Sequence, residues 1–568
     1  MSVTAAAGSA TALPRRILIG EAWLLRIGVV VLIAWLLVTI ALPLWALLSK
    51  SFQNADGGFV GLANYFRYFS TPTLFGSIYN TLGVAVLTTV IVIPLAFVYA
   101  YAITRSRLRF KGLLYAAAML PLFAPSLLSA ISLIYLFGNQ GLIKELLFGA
   151  SIYGPIGIVV AQVFYCFPHA LIIIVAALRL ADARLYEVAE ALGTSGGRVF
   201  RTVTLPGAKY GLINAAFVVF TLVVTDFGIA KVIGGQFNVL ATDAYKQVVG
   251  QQNFEMGAVV GMVLLIPAVV AFVVDRMVQR RQVALLSARA VPLQPKSNIL
   301  RDVVLMFYCL VVAAILLIVL GTAVWASFIT YWPYNLALTL NNYAFDSFDP
   351  TGWSSYFNSI AMAALASIIG TAVIFTGAYL IEKTKVMAGG RLLAHLLAML
   401  PMAVPGLVLG LGYVFFVNAP WNPLGFLYGT LMVLVINSIA HFYTVAHITS
   451  LTALKQIDPE FESVSASLKV PVWRTFGRVT VPICLPAILD IAVYMFVNAL
   501  TTVSAVIFLY GSSTKLASIA IVHMDEAGFT AGAAGMATLI VLTALGAKLL
   551  HLLLDEFVFG RLQVWRRR

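Results

Sequence analysis

Residues 179–206 read RLADARLYEVAEALGTSGGRVFRTVTLP, a polar and basic interruption in an otherwise apolar chain. Leu185, Val188, Ala189 and Leu192 fall at i, i+3, i+4 and i+7, which puts one apolar stripe on a short helix ending at Gly193. After the Thr-Ser-Gly-Gly turn, Val199, Phe200 and Val203 form the inner face of a second short helix, and Leu205-Pro206 closes it. The pattern returns 276 positions later in residues 455–482, KQIDPEFESVSASLKVPVWRTFGRVTVP. There Asp458 stands for Asp182, and Phe461, Val464, Ser465 and Leu468 stand for the stripe. Arg474, Phe476, Val479 and Pro482 stand for Arg198, Phe200, Val203 and Pro206. A loop pattern held twice at one spacing points to a tandem repeat.

The sequence around these loops is membrane-like. Of 568 residues, 61% are apolar and 10% charged, with a mean hydropathy of +0.97, a composition that excludes a water-soluble enzyme of this size. Runs of about 20 mainly apolar residues, enough to cross a ~30 Å hydrocarbon core, occur at 23–48, 76–103, 112–137, 153–178, 208–233, 257–277, 302–328, 357–381, 391–417, 425–450, 484–510 and 530–555. Apolar character all round predicts helices rather than the alternating strands of a barrel. The first run is too long for a secretory core segment and reads as a retained transmembrane helix. With the N-terminus inside, 30 of the 36 lysines and arginines fall on cytoplasmic segments and helix ends. Both termini are therefore expected on the cytoplasmic side of the membrane. This placement accounts for most of the net charge of +14 without nucleic acid as a partner.

The expected fold class is thus all-α, with twelve transmembrane helices in two parallel six-helix repeats. Asn80-Thr81 and Leu120-Pro121 with Pro125 recur as Asn358-Ser359 and Leu400-Pro401 with Pro405. Six spans per half means both copies enter the membrane from the same side, so their axis lies along the membrane normal. The expected domains are a first repeat at 1–278, a basic, proline-bearing cytoplasmic linker at 279–300, and a second repeat at 301–568. The loops at 182–206 and 458–482 belong to the first and second repeat respectively.

Here the sequence resembles a known family. Glu187-Val188-Ala189, Gly193 and Val203-Thr204-Leu205-Pro206 are similar to the EAA loop of permease subunits of ATP-binding-cassette importers. The resemblance implies a type I importer permease fold. It also implies that each loop is a coupling helix docking on a cytoplasmic ATPase, two copies in all, and that a periplasmic solute-binding protein delivers a small-molecule substrate. The coupling residues it implies are Glu187, Ala189, Gly193, Leu205 and Pro206 in the first loop, with Glu462, Leu468 and Pro482 in the second. The second copy departs from the pattern: Ser463 occupies the Glu187 position, Glu462 sits one position early and Lys469 replaces the glycine. Stretches such as LPLFAPSLLSAISLIYLFGNQGLI (120–143), with the overall length, resemble fused permeases of the iron(III)/2-aminoethylphosphonate group. That resemblance implies 2-aminoethylphosphonate as cargo, with iron(III) or another small solute as the alternative.

No catalytic constellation, metal site or cofactor is expected. No Gly-Lys pair exists, so a phosphate-binding P-loop is absent and ATP hydrolysis is expected on a partner chain. Cys166, Cys309 and Cys484 have no paired spacing, and the six histidines do not form a ligand set. Ionisable residues inside spans are functional candidates. Asp226, in FTLVVTDFGIAKVI, is the pathway candidate, set to contact an amino group of a substrate or to pair with Lys231. The plainer reading is a hydrogen-bonded structural aspartate, because its repeat mate is the neutral Thr502. Asp490 and Asn498 read as helix-joining polar groups, and the Gly257/Gly261 and Gly406/Gly410 spacings as close-packing seams contained within the membrane. An ion-coupled secondary transporter is the competing class, with Asp226 as its support.

Overall fold

The computed structural model describes residues 15–283, 293–295 and 298–556. Ten of its helices are long and apolar enough to cross a membrane, and two bent helix pairs raise the count to as many as twelve. The bent pairs are the third span of each half, which corrects the expectation of single helices over 112–137 and 391–417. Lys111–Phe123 meets Ser126–Phe137 at 100°, and Ala388–Ala403 meets Gly406–Val417 at 115°. The cause is local. Ala124 and Val404 each precede a proline, whose ring disfavours helical backbone in the residue before it. Both are extended, with φ −96° and ψ 140°, and φ −107° and ψ 117°.

The fifth spans also differ from expectation. The first runs Gly196–Thr225 and the second Val472–Thr501, so each starts inside its loop and stops short of the polar residue Asp226 or Thr502. Leu205-Pro206 therefore does not close a second short helix. The Leu205 amide reaches back to the Phe200 carbonyl, and the Val481 amide to the Phe476 carbonyl, each a wide π-turn. A proline leaves the carbonyl four residues before it without an amide partner. One wide turn just ahead of Pro206 and Pro482 lets the helix pass through that gap.

Each half lends its first helix to the other. The segment 15–51 packs on Ala388–Met399 and Gly406–Val417 of the second half, and Ile299–Ala326 packs on Ser126–Phe137 of the first. Pro43 has no amide to offer the Thr39 carbonyl four residues earlier, and the Tyr413 hydroxyl donates to that carbonyl at 2.7 Å from the other half. A Cβ at Gly412 would stand 2.7 Å from the Pro43 carbonyl oxygen, so only glycine permits this approach. In the same helix a Cβ at Gly410 would stand 2.4 Å from the Ala505 carbonyl oxygen, which supports the close-packing reading there. A Cβ at Gly261 would make only ordinary contacts. The reciprocal exchange is fixed by Tyr308, whose hydroxyl donates to the Leu95 carbonyl at 2.8 Å.

The helix Phe254–Val283 carries the sixth span into the expected linker. Linker residues 284–292 and 296–297, including Arg289 and Lys296, lie outside the described residues, as do the terminal segments 1–14 and 557–568. Arg107 Nε donates to the Pro295 carbonyl at 2.9 Å, which ties the linker to the end of the bundle that bears the two repeated loops.

Candidate functional site: paired loops and a cavity between the halves

Both loops build the same motif. Asp182 accepts a hydrogen bond from the Arg184 amide (3.1 Å) and caps the helix Ala183–Ala191; Asp458 accepts one from the Glu460 amide (2.9 Å) ahead of Glu460–Ser467. Each helix ends in a Schellman turn. Gly193 N–H bonds to Glu190 O and Thr194 N–H to Ala189 O; Lys469 N–H bonds to Ala466 O and Val470 N–H to Ser465 O. Gly193 has φ +64° and Lys469 has φ +55°. The lysine thus holds the left-handed conformation that the glycine holds in the first copy, so the sequence departure leaves the turn intact.

The stripes face outward. Leu185, Val188 and Leu192 are 57%, 57% and 74% exposed, and Val464 and Leu468 are 56% and 70% exposed. Ala189, at the back of the first helix, is buried, while Glu187 is exposed. Below each helix an aromatic seam seats the loop on its own half: Phe200 against Phe97 and Tyr101, and Phe476 against Phe375 and Tyr379. Pro482 is exposed and Leu205 is 40% exposed, both at the π-turns.

Sequence reasoning passed over the residues that anchor the loops. Arg105, at the end of the second span, lies over the Tyr186 ring at 5.2 Å and donates to the Leu178 carbonyl at 2.5 Å. Its mate Lys383 pairs with Glu462 at 2.9 Å and donates to the Ile457 carbonyl at 3.1 Å. Glu462 is therefore engaged by the end of the second span of its own half. The signal was available in the shared spacing of 278 positions between two cations at helix ends.

Between the halves lies a cavity of about 620 Å³, whose walls include both breaks in the third spans, at Ala124-Pro125 and Val404-Pro405. Asp226 lines it, and its Oδ1 accepts the Ile229 amide at 2.8 Å, capping the short helix Gly228–Ile233. The structural reading of Asp226 thus has a bond behind it, while its place on the wall keeps it a pathway candidate. The proposed Asp226–Lys231 pairing is corrected. The helix breaks at Asp226, and Lys231 pairs instead with Glu526 of the second half, with its ammonium 4.6 Å from the Tyr245 ring centroid. Helix Leu205–Thr225 rises about 30 Å along its axis, so this pairing crosses the seam at the end of the bundle far from the loops. An aromatic layer crosses beside it: Phe227, on the cavity wall, packs on Tyr245, which stacks on Phe508 of the other half at 6.2 Å. Asp490 also lines the cavity and meets His551 of the last helix at 3.3 Å, as a helix-joining residue should. Among the described residues the Asn498 side chain bonds only within its own helix, to the Tyr494 carbonyl at 2.8 Å, and does not join helices as expected. A second pairing, His395 Nδ1 to His447 Nε2 at 3.3 Å, joins residues 52 apart that no sequence pattern linked.

Residues 92–283 and 388–558 each match the sequence profile of the binding-protein-dependent transport system inner membrane component family. The chain belongs to this family. It carries the domain twice, which makes it a fused two-half importer permease of the inner membrane. Among relatives of this permease, a putative ferric transport system permease protein of Haemophilus influenzae is 28% identical over 75% of this chain and 68% of its own length. A ferric transport system permease protein of Actinobacillus pleuropneumoniae is 27% identical over 77% and 65%. A molybdenum transport system permease protein of Mycobacterium bovis is 28% identical over 42% of this chain and 88% of its own length, matching the size of one half.

Proposed function

We propose that this permease is the pore of an ATP-driven importer, with each outward-facing loop stripe docking on one of two cytoplasmic ATPase subunits. The observation that carries the reading is the pair of loops. Two short helices with the same cap, the same Schellman turn and the same exposed apolar stripe stand on one end of the molecule. Exposed apolar stripes rimmed by polar residues are what a docking partner covers. In this reading Leu185, Val188 and Leu192, with Phe461, Val464 and Leu468, enter the partner grooves. Gly193 and Lys469 set the helix angle, Glu187 makes a rim contact, Ala189 packs the helix down, and Leu205-Pro206 and Pro482 with their π-turns pass the movement into the fifth spans. Glu462 holds the second loop to the second span of its own half.

The excess of basic residues at the loop end supports a cytoplasmic position for that end, both termini and the linker, and in this reading the repeats run 1–278 and 301–568. The opposite end receives a periplasmic solute-binding protein. Asp226 borders the solute path. Coupling is differential affinity: ATPase and binding protein each favour a different arrangement of the halves.

For cargo, the stretch at 120–143 supports 2-aminoethylphosphonate, and the ferric permeases among the relatives favour iron(III) as a second reading. The test is reconstitution with the ATPase and the cognate binding protein in proteoliposomes. ATP-dependent uptake of labelled 2-aminoethylphosphonate or of ferric iron decides the cargo. Full coupling in the Glu187→Ala/Gly193→Val variant, or uptake driven by an ion gradient without the ATPase, would sink the loop assignment.

A further inference from the structure

At the loop end a cavity of about 280 Å³ opens between three elements: the start of the first helix at Glu21 and Leu25, the end of helix Gly352–Glu382 with Tyr379 through Lys385, and the second loop at Ser465–Thr475. Its acidic groups are engaged. Glu21 accepts the Val472 amide, and Glu462 pairs with Lys383. Two cations on its wall are not. Lys385 and Lys469 are exposed, and among the described residues neither ammonium has an ion-pair or hydrogen-bond partner. Thr475, on the same wall and 95% buried by its 5% exposure, also has a hydroxyl without a partner. Lys469 is the residue that stands where the first loop has Gly193, in a left-handed backbone conformation that disfavours every side chain except the smallest. A lysine held in this conformation on the cavity wall, where the first loop has an unstrained glycine, is a feature that an anion bound there would account for. The cavity also lies at the height where the first span begins. Arg26 covers the Trp23 ring at 5.6 Å, and Trp23 is exposed as an interfacial tryptophan is. Leu25, Tyr379, Val470 and Val472 give the cavity an apolar wall beside its cations.

We infer that this cavity binds a phosphate group between Lys385 and Lys469, as the headgroup of an anionic phospholipid or as free phosphate, and so ties the first helix to the second loop. The binding site stands on its own geometry. Only its consequence, a second loop stiffened for ATPase contact, rests on the coupling role proposed above.

The test uses the full chain in nanodiscs, without the ATPase, so that it is independent of coupling. One arm compares phosphatidylcholine discs with discs containing phosphatidylglycerol and counts retained lipid by native mass spectrometry. The other titrates inorganic phosphate into phosphatidylcholine discs and follows thermal unfolding. Each is run on the native chain, on Lys385→Gln/Lys469→Gln, and on Lys469→Gly, which keeps the turn. Loss of both ammoniums is expected to weaken retention about thirtyfold, equivalent to about 2 kcal/mol at 1.4 kcal/mol per factor of ten. Lipid retention that falls in the variants assigns the headgroup, and phosphate protection that falls in them assigns the free anion. Equal behaviour of all three chains in both arms overturns the site. If the site holds while ATP coupling is unchanged in the variants, the loss falls on the coupling role alone.

Discussion

Arg105 and Lys383 hold the same place in the two halves, 278 positions apart, and each fastens its own loop by a different bond. Arg105 uses the face of Tyr186, while Lys383 uses the carboxylate of Glu462, which stands where Tyr186 stands in the first loop. A cation over a ring and a cation beside a carboxylate are alternative ways to hold one helix against one span.

Removing one member of the second pair leaves the other without its partner in a half-buried place. Lys383→Met is expected to cost about 2 kcal/mol and to lower the melting temperature. Lys383→Met/Glu462→Met should recover much of that loss. Melting curves of the purified chain measure both, and a double variant no better than the single one removes the pair from the account.

The two Schellman turns predict opposite responses to similar changes. Lys469→Gly relieves a left-handed side-chain conformation and should raise stability by up to about 1 kcal/mol, whereas Gly193→Ala should lower it by about as much. Thermal unfolding of the two variants side by side checks the signs.

Lys231 and Glu526 join the halves at the end far from the loops. In the importer mechanism proposed above, opening that end would part this pairing, which would therefore favour the arrangement in which the two halves meet there. Lys231→Met is expected to raise ATP turnover severalfold in the absence of binding protein once the complex is reconstituted, the change that about 1 kcal/mol produces in a two-state equilibrium. The charge-swapped Lys231→Glu/Glu526→Lys chain should return toward the native rate. Unchanged basal turnover in the single variant would show that the pairing does not hold the end closed.

Asp525 sits on the short helix Ala517–Glu526, outside the spans, and burial followed by the neighbouring Glu526 charge pushes its carboxyl up to about 6. A carboxyl raised above its unfolded value of ~3.9 lends stability that is fully present below that value and is lost as pH rises through about 6. The native chain should therefore lose melting temperature between about pH 4 and pH 7, and Asp525→Asn should flatten that slope. An identical slope in the variant would assign the loss elsewhere.

How much of this was legible beforehand follows from the kind of signal each feature leaves. The tandem repeat, the helical spans and the stripe of Leu185, Val188 and Leu192 are periodic, and periodicity survives in one dimension. The bends at Pro125 and Pro405 were written as prolines, but a right-angle break and a kinked continuous helix share that spelling. Pro206 misled in the other direction: a π-turn absorbs the missing amide, and backbone ladders leave no mark in a residue string. The outward direction of the stripes was beyond reach, since an amphipathic pattern gives a face and not what the face meets. Pairings such as Lys231 with Glu526, or His395 with His447, depend on how helices far apart in sequence come to lie together, and neither residue announces its partner.

The exchange of first helices bears on the order in which the chain is made. The segment 15–51 leaves the ribosome well ahead of the surface it packs on, since Tyr413 on Thr39 and Gly412 against Pro43 are translated some 370 residues later. Until then that span lacks the hydroxyl that covers its proline-orphaned Thr39 carbonyl, so its final packing is completed only with the second half. Synthesis as one chain guarantees that each early helix meets its late partner in equal number and within reach, a pairing that two separately made subunits would have to find by diffusion in the bilayer.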